Sequence, residues 1–547
     1  MSTVDRVNIA SHLPEMARRH PDTPAIIFPQ QNRRLSFQEL NKLSDRIAHG
    51  LISIGVGRGV RTALMVKPGP EFFALTFALF KVGAVPVLID PGLGIKNLKS
   101  CLAEAEPHAF IGIPQAHIAR RIFGWGKGSL RIFVTVGSRL FWEGTTLAEL
   151  LKQNGTDIPF PLAPTERDDV AAILFTSGST GPPKGAIYSH GNFAAQVEAL
   201  RRVYGIEPGE IDLPTFPLFA LFAPALGMTA VIPRMDFTRP GSVNPRRIIA
   251  TIEAHGVTSM FGSPALINRV GRYGAKRGVQ LSTLRRVISA GAPVPAAVLE
   301  RFYRLLGPGA EIYTPYGATE ALPVCSIGSK EILGETQHIT SAGGGICVGR
   351  PVEGIRLEII RISDDPIPVW QDSLRVVAGT IGEIVVQGEQ VTRGYYNRPE
   401  ADQLSKIADP ATGGFFHRMG DLGGIDEAGR IWFCGRKSHR LETPDGPFYT
   451  IPCEAVFNAH PAVFRTALVG VGEEGNKRPV LCVELEKGIK ADRETVRKEL
   501  LAIGGAHIHT QPITTILFHP AFPVDIRHNA KIFREKLAVW ATGKLSP

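Results

Sequence analysis

"VAAILFTSGSTGPPKG", residues 170–185, sets an apolar run of strand length against a loop of glycine, proline and small hydroxyl residues. Residues 170–175 have the length and composition of a buried strand. In the loop that follows, Gly178, Gly181 and Gly185 carry no Cβ, so backbone N–H groups can crowd around an anion. Thr176, Ser177, Ser179 and Thr180 add hydroxyl donors, and Lys184 adds a point charge. A strand feeding such a loop predicts a cradle for a nucleotide phosphate. The loop is not the Walker A pattern, because Gly185 stands where that pattern needs Ser or Thr after the lysine.

Elements on either side repeat the strand-then-turn theme. "SFQELNKLSDRIAHGL" opens with the capping-box spacing Ser36 to Glu39, and Leu40, Leu43, Ile47 and Leu51 recur at helical intervals. "EFFALTFALFKVG" predicts a helix stopped at Gly83, followed by a buried strand in "AVPVLID". "GVTSMFGSPALINRV" and "LRRVISAGAPVP" again place a strand before a turn. Strands alternating with helices predict an α/β fold: a large N-terminal body of mixed and parallel sheets flanked by helices. After about residue 435, "RTALVGVG", "RPVLCVELEKG" and "RETVRKELLAIGG" predict a small, mobile α+β domain. The boundary falls in "CGRKSHR" (434–440), giving units 1–435 and 436–547.

Composition excludes several classes. Hydrophobic content of 44% and charged content of 20% over 547 residues are those of a folded chain with several cores. The six cysteines never stand in a CxxC spacing, which argues against a zinc ribbon or disulfide scaffold and predicts a reducing, cytoplasmic setting. The N-terminal segment lacks the apolar core of a signal peptide. Residues 213–233 carry no charge, but Pro214, Pro217, Pro224 and Gly227 break the helix that a membrane span requires. That run predicts a buried wall, with Phe216, Leu218, Phe219, Phe222 and Leu226 lining an alkyl pocket. A net charge of +10 favours anionic substrates or a peripheral lipid contact. No dense basic run interleaved with aromatics points to nucleic acid.

With these stretches on the page, the chain resembles the AMP-forming adenylating superfamily of acyl-CoA synthetases, adenylation domains and luciferases. Its loop 176–185 is similar to the family signature almost letter for letter. "SAGAPVP" (289–295), "YGATE" (316–320), "HRMGDLG" (417–423), "GRK" (435–437) and "FPVDIRHNAKIFREKL" (522–537) resemble further family motifs in the family's order. The resemblance covers nearly the whole chain. It implies ATP as substrate, Mg²⁺ as cofactor, and nucleotide contacts from Thr176–Thr180 and Lys184. It also implies nucleotide contacts from Ala290, Gly291, Ala292, Tyr316, Gly317, Ala318, Asp421 and Arg436. Glu320 is implied as the metal carboxylate, with Thr319 on the α-phosphate and Lys531 bridging substrate carboxylate and phosphate.

Departures from the family pattern bear on the second half-reaction. "LETPDGPFYTIPCE" (441–454) replaces the glycine-containing loop that lines a pantetheine tunnel in CoA ligases, and "HNAK" (528–531) stands where Ser-Gly-Lys is usual. The pattern resembles the branch of the family in bacterial long-chain olefin synthesis. That branch implies a long-chain 3-hydroxy acid substrate, closure to a β-lactone, and assembly with other enzymes of the pathway. A ligase passing the acyl group to CoA or to a carrier protein, and a non-catalytic nucleotide-binding scaffold, stand as alternatives. For the group that takes the hydroxyl proton, His439, His528 and the phosphate itself are the candidates.

Overall fold

The structure is a computed structural model that describes residues 6–153, 157–176, 182–473, 475–489, 491–524 and 531–545, with the backbone alone at Pro91 and Thr176. Two seven-stranded sheets form the body. One runs, edge to edge, through Glu311–Tyr313, Arg286–Ile288, Ser259–Phe261, Ile211–Pro214, Thr229–Val231, Pro24–Phe28 and Arg33–Ser36. The other runs through Thr145–Thr146, Ile132–Thr135, Ala109–Gly112, Arg61–Met65, Val85–Ile89, Val170–Thr176 and Lys184–Ser189. Each is parallel except for its last pair, which is an antiparallel hairpin.

A single core fills the space between the sheets. Helix Pro70–Lys81 crosses it, and because that helix is apolar on every face, every residue from Phe72 to Lys81 is buried. Its one buried charge, Lys81 Nζ, meets Asp45 Oδ1 at 2.6 Å and the Asn41 side chain at 2.8 Å, so the buried ammonium is paired. Asp45 comes from helix Phe37–Ser53, whose Ser36–Glu39 capping box forms as the sequence predicts.

An eight-stranded, largely antiparallel sheet built from residues 316–436 covers one end of the body. Its long strand Gly414–Ile425 pairs with Ile431–Arg436, with Asp421 directly opposite Arg436. Cys434–Arg436 end the interior strand Ile431–Arg436, and Lys437–His439 form a helical turn after it. The rebuilt stretch 441–454 is a short hairpin, Leu441–Thr443 against Gly446–Phe448, followed by helix Thr450–Asn458.

The C-terminal unit is a three-stranded sheet of Val463–Val471, Arg478–Leu485 and Thr515–Phe518, with helices Arg493–Gly505 and Arg534–Leu545. This matches the predicted small α+β domain. The 213–233 run is strand, short helix and strand, and no helix among the described residues is long and apolar enough to cross a membrane. All six cysteines are buried thiols, and burial holds each one above its ordinary pKa.

Candidate active site

Ligands of open α/β sheets sit beyond the carboxyl ends of the strands, and the predicted residues gather there. Strand Val170–Thr176 ends at the glycine-rich loop, and Lys184 lies directly opposite Thr176 in the hairpin. Ser177, Gly178, Ser179 and Thr180 fall outside the described residues, as does the side chain of Thr176. Lys184 Nζ stands 5.0 Å from the centre of the Tyr395 ring, and the Tyr395 hydroxyl donates to Glu320 Oε1 at 2.6 Å. Burial and the Glu320 charge both hold that hydroxyl protonated by raising its pKa.

Thr319 and Glu320 form the two-residue tip of a hairpin, between Tyr316–Ala318 and Ala321–Ser326. That tip fixes both residues against the body. Thr319's carbonyl accepts from the Tyr188 hydroxyl, and Glu320's carbonyl accepts from the Thr392 amide at 2.8 Å. A Cβ at Gly317 would stand 2.6 Å from the Ala321 carbonyl oxygen, so the hairpin closes this tightly only with glycine. On the same hairpin, the Tyr316 hydroxyl donates to Asp421 Oδ2 at 2.7 Å, while Arg436 Nη1 donates to Asp421 Oδ1 at 2.8 Å. Each carboxylate oxygen keeps a second lone pair for a ligand hydroxyl.

The result is one unbroken line of contacts: Lys184, Tyr395, Glu320, the hairpin, Tyr316, Asp421, Arg436. It sets a cation at each end, Lys184 and Arg436, with the carboxylates Glu320 and Asp421 between them, a charge set that suits a phosphate chain with a divalent cation. Ala290, Gly291 and Ala292 follow strand Arg286–Ile288, and Gly291 takes φ +96°, a left-handed turn that favours glycine. Lys531 begins the approach to the last helix. The backbone there is pinned by a bridge between Val524 and Ile532, and Arg534 forms a buried ion pair with Glu454 at 2.8 Å.

Ala290 also lines an apolar cavity of about 90 Å³, together with Phe219, Phe222 and Leu226 from the predicted wall. Phe216 and Leu218 are not in its lining. Phe216 stacks edge-on behind Phe219, with ring centres 5.1 Å apart, and Leu218 packs on the main core, because the helical turns here send alternate side chains away from the cavity. Asp212 also lines the cavity and pairs across the sheet with Ser259, two residues before Phe261 in the neighbouring strand. Burial pushes the Asp212 carboxyl up to about 7. No sequence signal marked it, because an acid within a strand reads as an edge residue.

Two further residues escaped the sequence. Lys406 donates to the Thr392 carbonyl, whose own amide holds Glu320, and His417 lies directly opposite Lys406 across the strand pair. Burial lowers the Lys406 pKa from 10.5 to about 7, against the opposing pull of Glu320 and Asp402. The unfolded chain therefore binds one more proton at this residue between those two values, and stability rises with pH across that window. Relative to Lys406→Met, the wild-type unfolding free energy is expected to increase from about pH 7.5 to about pH 9.5 in urea titrations. Parallel pH profiles for the two proteins would show that burial does not lower the Lys406 pKa.

Of the named proton acceptors, His528 lies outside the described residues. His439 is held down to about 3 by burial and by Arg534 and Arg436 beside it. An imidazole that resists protonation is a weaker base, which counts against His439 in that role.

Known proteins resemble this chain along nearly its whole length. The family described as AMP-binding enzyme matches residues 13–396. The chain is 51% identical to the olefin beta-lactone synthetase of Xanthomonas campestris pv. campestris, over 98% of this chain and 97% of the relative. It is 50% identical to the protein of the same description from Stenotrophomonas maltophilia, over 98% of each. Among solved structures, ATP-bound MatB from Rhodopseudomonas palustris superposes with a TM-score of 0.79 at 21% identity, covering 99% of this chain and 100% of that one. That likeness bears on the fold alone. No group of three or more His, Cys, Asp or Glu able to hold a metal occurs among the described residues.

Proposed function

The chain belongs to the AMP-binding enzyme family, and we propose that it activates a long-chain 3-hydroxy fatty acid with ATP and closes the product to a β-lactone. In the first step a carboxylate oxygen attacks the α-phosphorus, the bond to the β-phosphate breaks, and diphosphate leaves. In the second, the substrate's own 3-hydroxyl oxygen attacks the acyl carbon, the acyl carbon–oxygen bond to the AMP phosphate breaks, AMP leaves, and the hydroxyl proton passes to the departing phosphate or to water. The tethered hydroxyl needs no diffusion, which offsets part of the ring strain.

The observation that carries this reading is the continuous line from Lys184 to Arg436 beside an apolar cavity. Lys184 and the loop 176–185 hold the phosphates, Thr319 meets the α-phosphate, and Asp421 accepts the ribose hydroxyls with Arg436 alongside. Ala290–Ala292 and Tyr316–Ala318 flank the adenine. Lys531 bridges the substrate carboxylate and the α-phosphate, and in this reading the chain divides at 435/436, so that the lysine arrives on the small domain. Glu320 fits Mg²⁺, a hard ion held by one or two carboxylates plus substrate phosphates rather than by a protein cage. When bound, the ion neutralises phosphate charge. The alkyl chain lies along Phe219, Phe222 and Leu226.

Incubation with ATP, Mg²⁺ and a 3-hydroxy acid, without CoA, should give AMP, diphosphate and a lactone detectable by mass spectrometry. The matching acid without its hydroxyl should stop at the adenylate. ADP as the stoichiometric product sinks the adenylation reading. Acyl-CoA as product, with no lactone when CoA is omitted, makes the protein a CoA ligase instead.

A further inference from the structure

Two short stretches repeat one pattern of arginine, aliphatic residue, phenylalanine and then tryptophan: "RIFGW" at 121–125 and "RLFW" at 139–142. In each, the tryptophan is an anchor. Trp125 is 4% exposed and packs into the core beneath the sheet, and Trp142 is 2% exposed. Trp142 donates Nε1 to Thr135 Oγ1 at 2.8 Å and stacks on His117 with ring centres 5.3 Å apart. The residues just before these anchors are held outward: Ile122 is 70% exposed, Phe123 37%, Leu140 56% and Phe141 73%.

The two stretches come from different elements. One is the end of helix Pro114–Phe123, and the other is the connection between strands Ile132–Thr135 and Thr145–Thr146. They nonetheless form one face, since the Arg121 guanidinium lies 5.6 Å from the centre of the Phe141 ring. Arg121 and Arg139, which belong to the two stretches, are exposed, as are Lys127 and Arg131 close by in sequence. The acids in contact are Glu143, 3.5 Å from both Arg120 and Arg121, and Glu149, bonded to Thr145 and Thr146 and near Arg139. Cations are in excess.

We propose that this face docks on an anionic lipid bilayer, with the four apolar side chains entering the acyl boundary and the flanking cations meeting headgroup phosphates. Two tryptophan anchors that hold large apolar residues in water are costly for an isolated chain unless something receives those residues. Apolar side chains interleaved with Lys and Arg are what the bilayer interface accepts, and an anionic leaflet attracts that charge. The net charge of +10 has the same sign.

Vesicle flotation of the full chain tests this. Binding to phosphatidylcholine vesicles containing about one-third phosphatidylglycerol should exceed binding to pure phosphatidylcholine at least ~10-fold, and salt should weaken it. The double variant Ile122→Ser, Phe141→Ser should lose at least ~10-fold of that binding, and Lys127→Gln with Arg139→Gln should lose a comparable share. Both variants should keep the wild-type melting temperature and diphosphate release with a short soluble acid, which separates a lost surface from a lost fold. Equal binding to neutral vesicles, or unchanged binding by both variants, overturns the proposal. So does a wild-type dimer that the Ile122→Ser, Phe141→Ser variant converts to monomer without vesicles, since a second copy then covers the face.

Discussion

Alanine at Lys531 is expected to slow adenylate formation at least ~100-fold, the loss that follows removal of a preorganised charge from a transition state. Carboxylate and α-phosphate repel as they approach, and a cation between them acts where negative charge accumulates. The segment that carries Lys531 is anchored independently, through the Arg534–Glu454 ion pair and the Phe533 amide bonded to the Pro523 carbonyl at 2.9 Å. The variant should therefore unfold at the wild-type urea midpoint. Diphosphate release separates the outcomes, because near-normal release from Lys531→Ala would reduce the residue to a structural lysine. The second step, assayed with a supplied acyl-adenylate, should suffer less, since its leaving group already carries the phosphate.

Glu320→Ala should cost on the order of 100- to 1000-fold in the same assay, and should raise the Mg²⁺ concentration needed for half-maximal rate. Glu320→Gln is the sharper probe. It keeps an oxygen acceptor for the Tyr395 hydroxyl, so the hairpin tip stays in place while the charge is lost. If the glutamine variant matches alanine in rate and metal dependence, charge is what matters. If its Mg²⁺ requirement equals that of the wild type, Glu320 serves only to hold Tyr395. Tyr395→Phe completes the comparison, leaving the carboxylate without its donor at 2.6 Å.

Much of this site could be read from the chain because phosphate binding needs unusual backbone. Glycine-rich loops and the tight tip at Thr319–Glu320 leave a mark in sequence that packing does not. The all-round apolar helix Pro70–Lys81 was legible for a similar reason: one element, one local pattern. The eight-stranded antiparallel sheet was not, since its strands pair across long separations, such as Ile346–Pro351 with Ile431–Arg436. Lys406 and Asp212 were invisible on the same ground. A charged residue within a strand carries no local sign that its neighbours will bury it. Phe216 and Leu218 failed differently, because the sequence shows that a run is apolar but not which side chains a short helical turn sends into the cavity. His439 looked available as a base until the fold set two arginines beside it.

The six sequestered thiols have a practical consequence. Protonated and out of contact with water, they leave the surface of the chain almost silent toward maleimides and iodoacetamide. A single cysteine engineered on an exposed position of helix Arg534–Leu545, with a second on the large body, could take a donor and an acceptor dye with no native cysteine removed. Any change in the separation of the two labelled positions could then be followed as a distance, turnover by turnover.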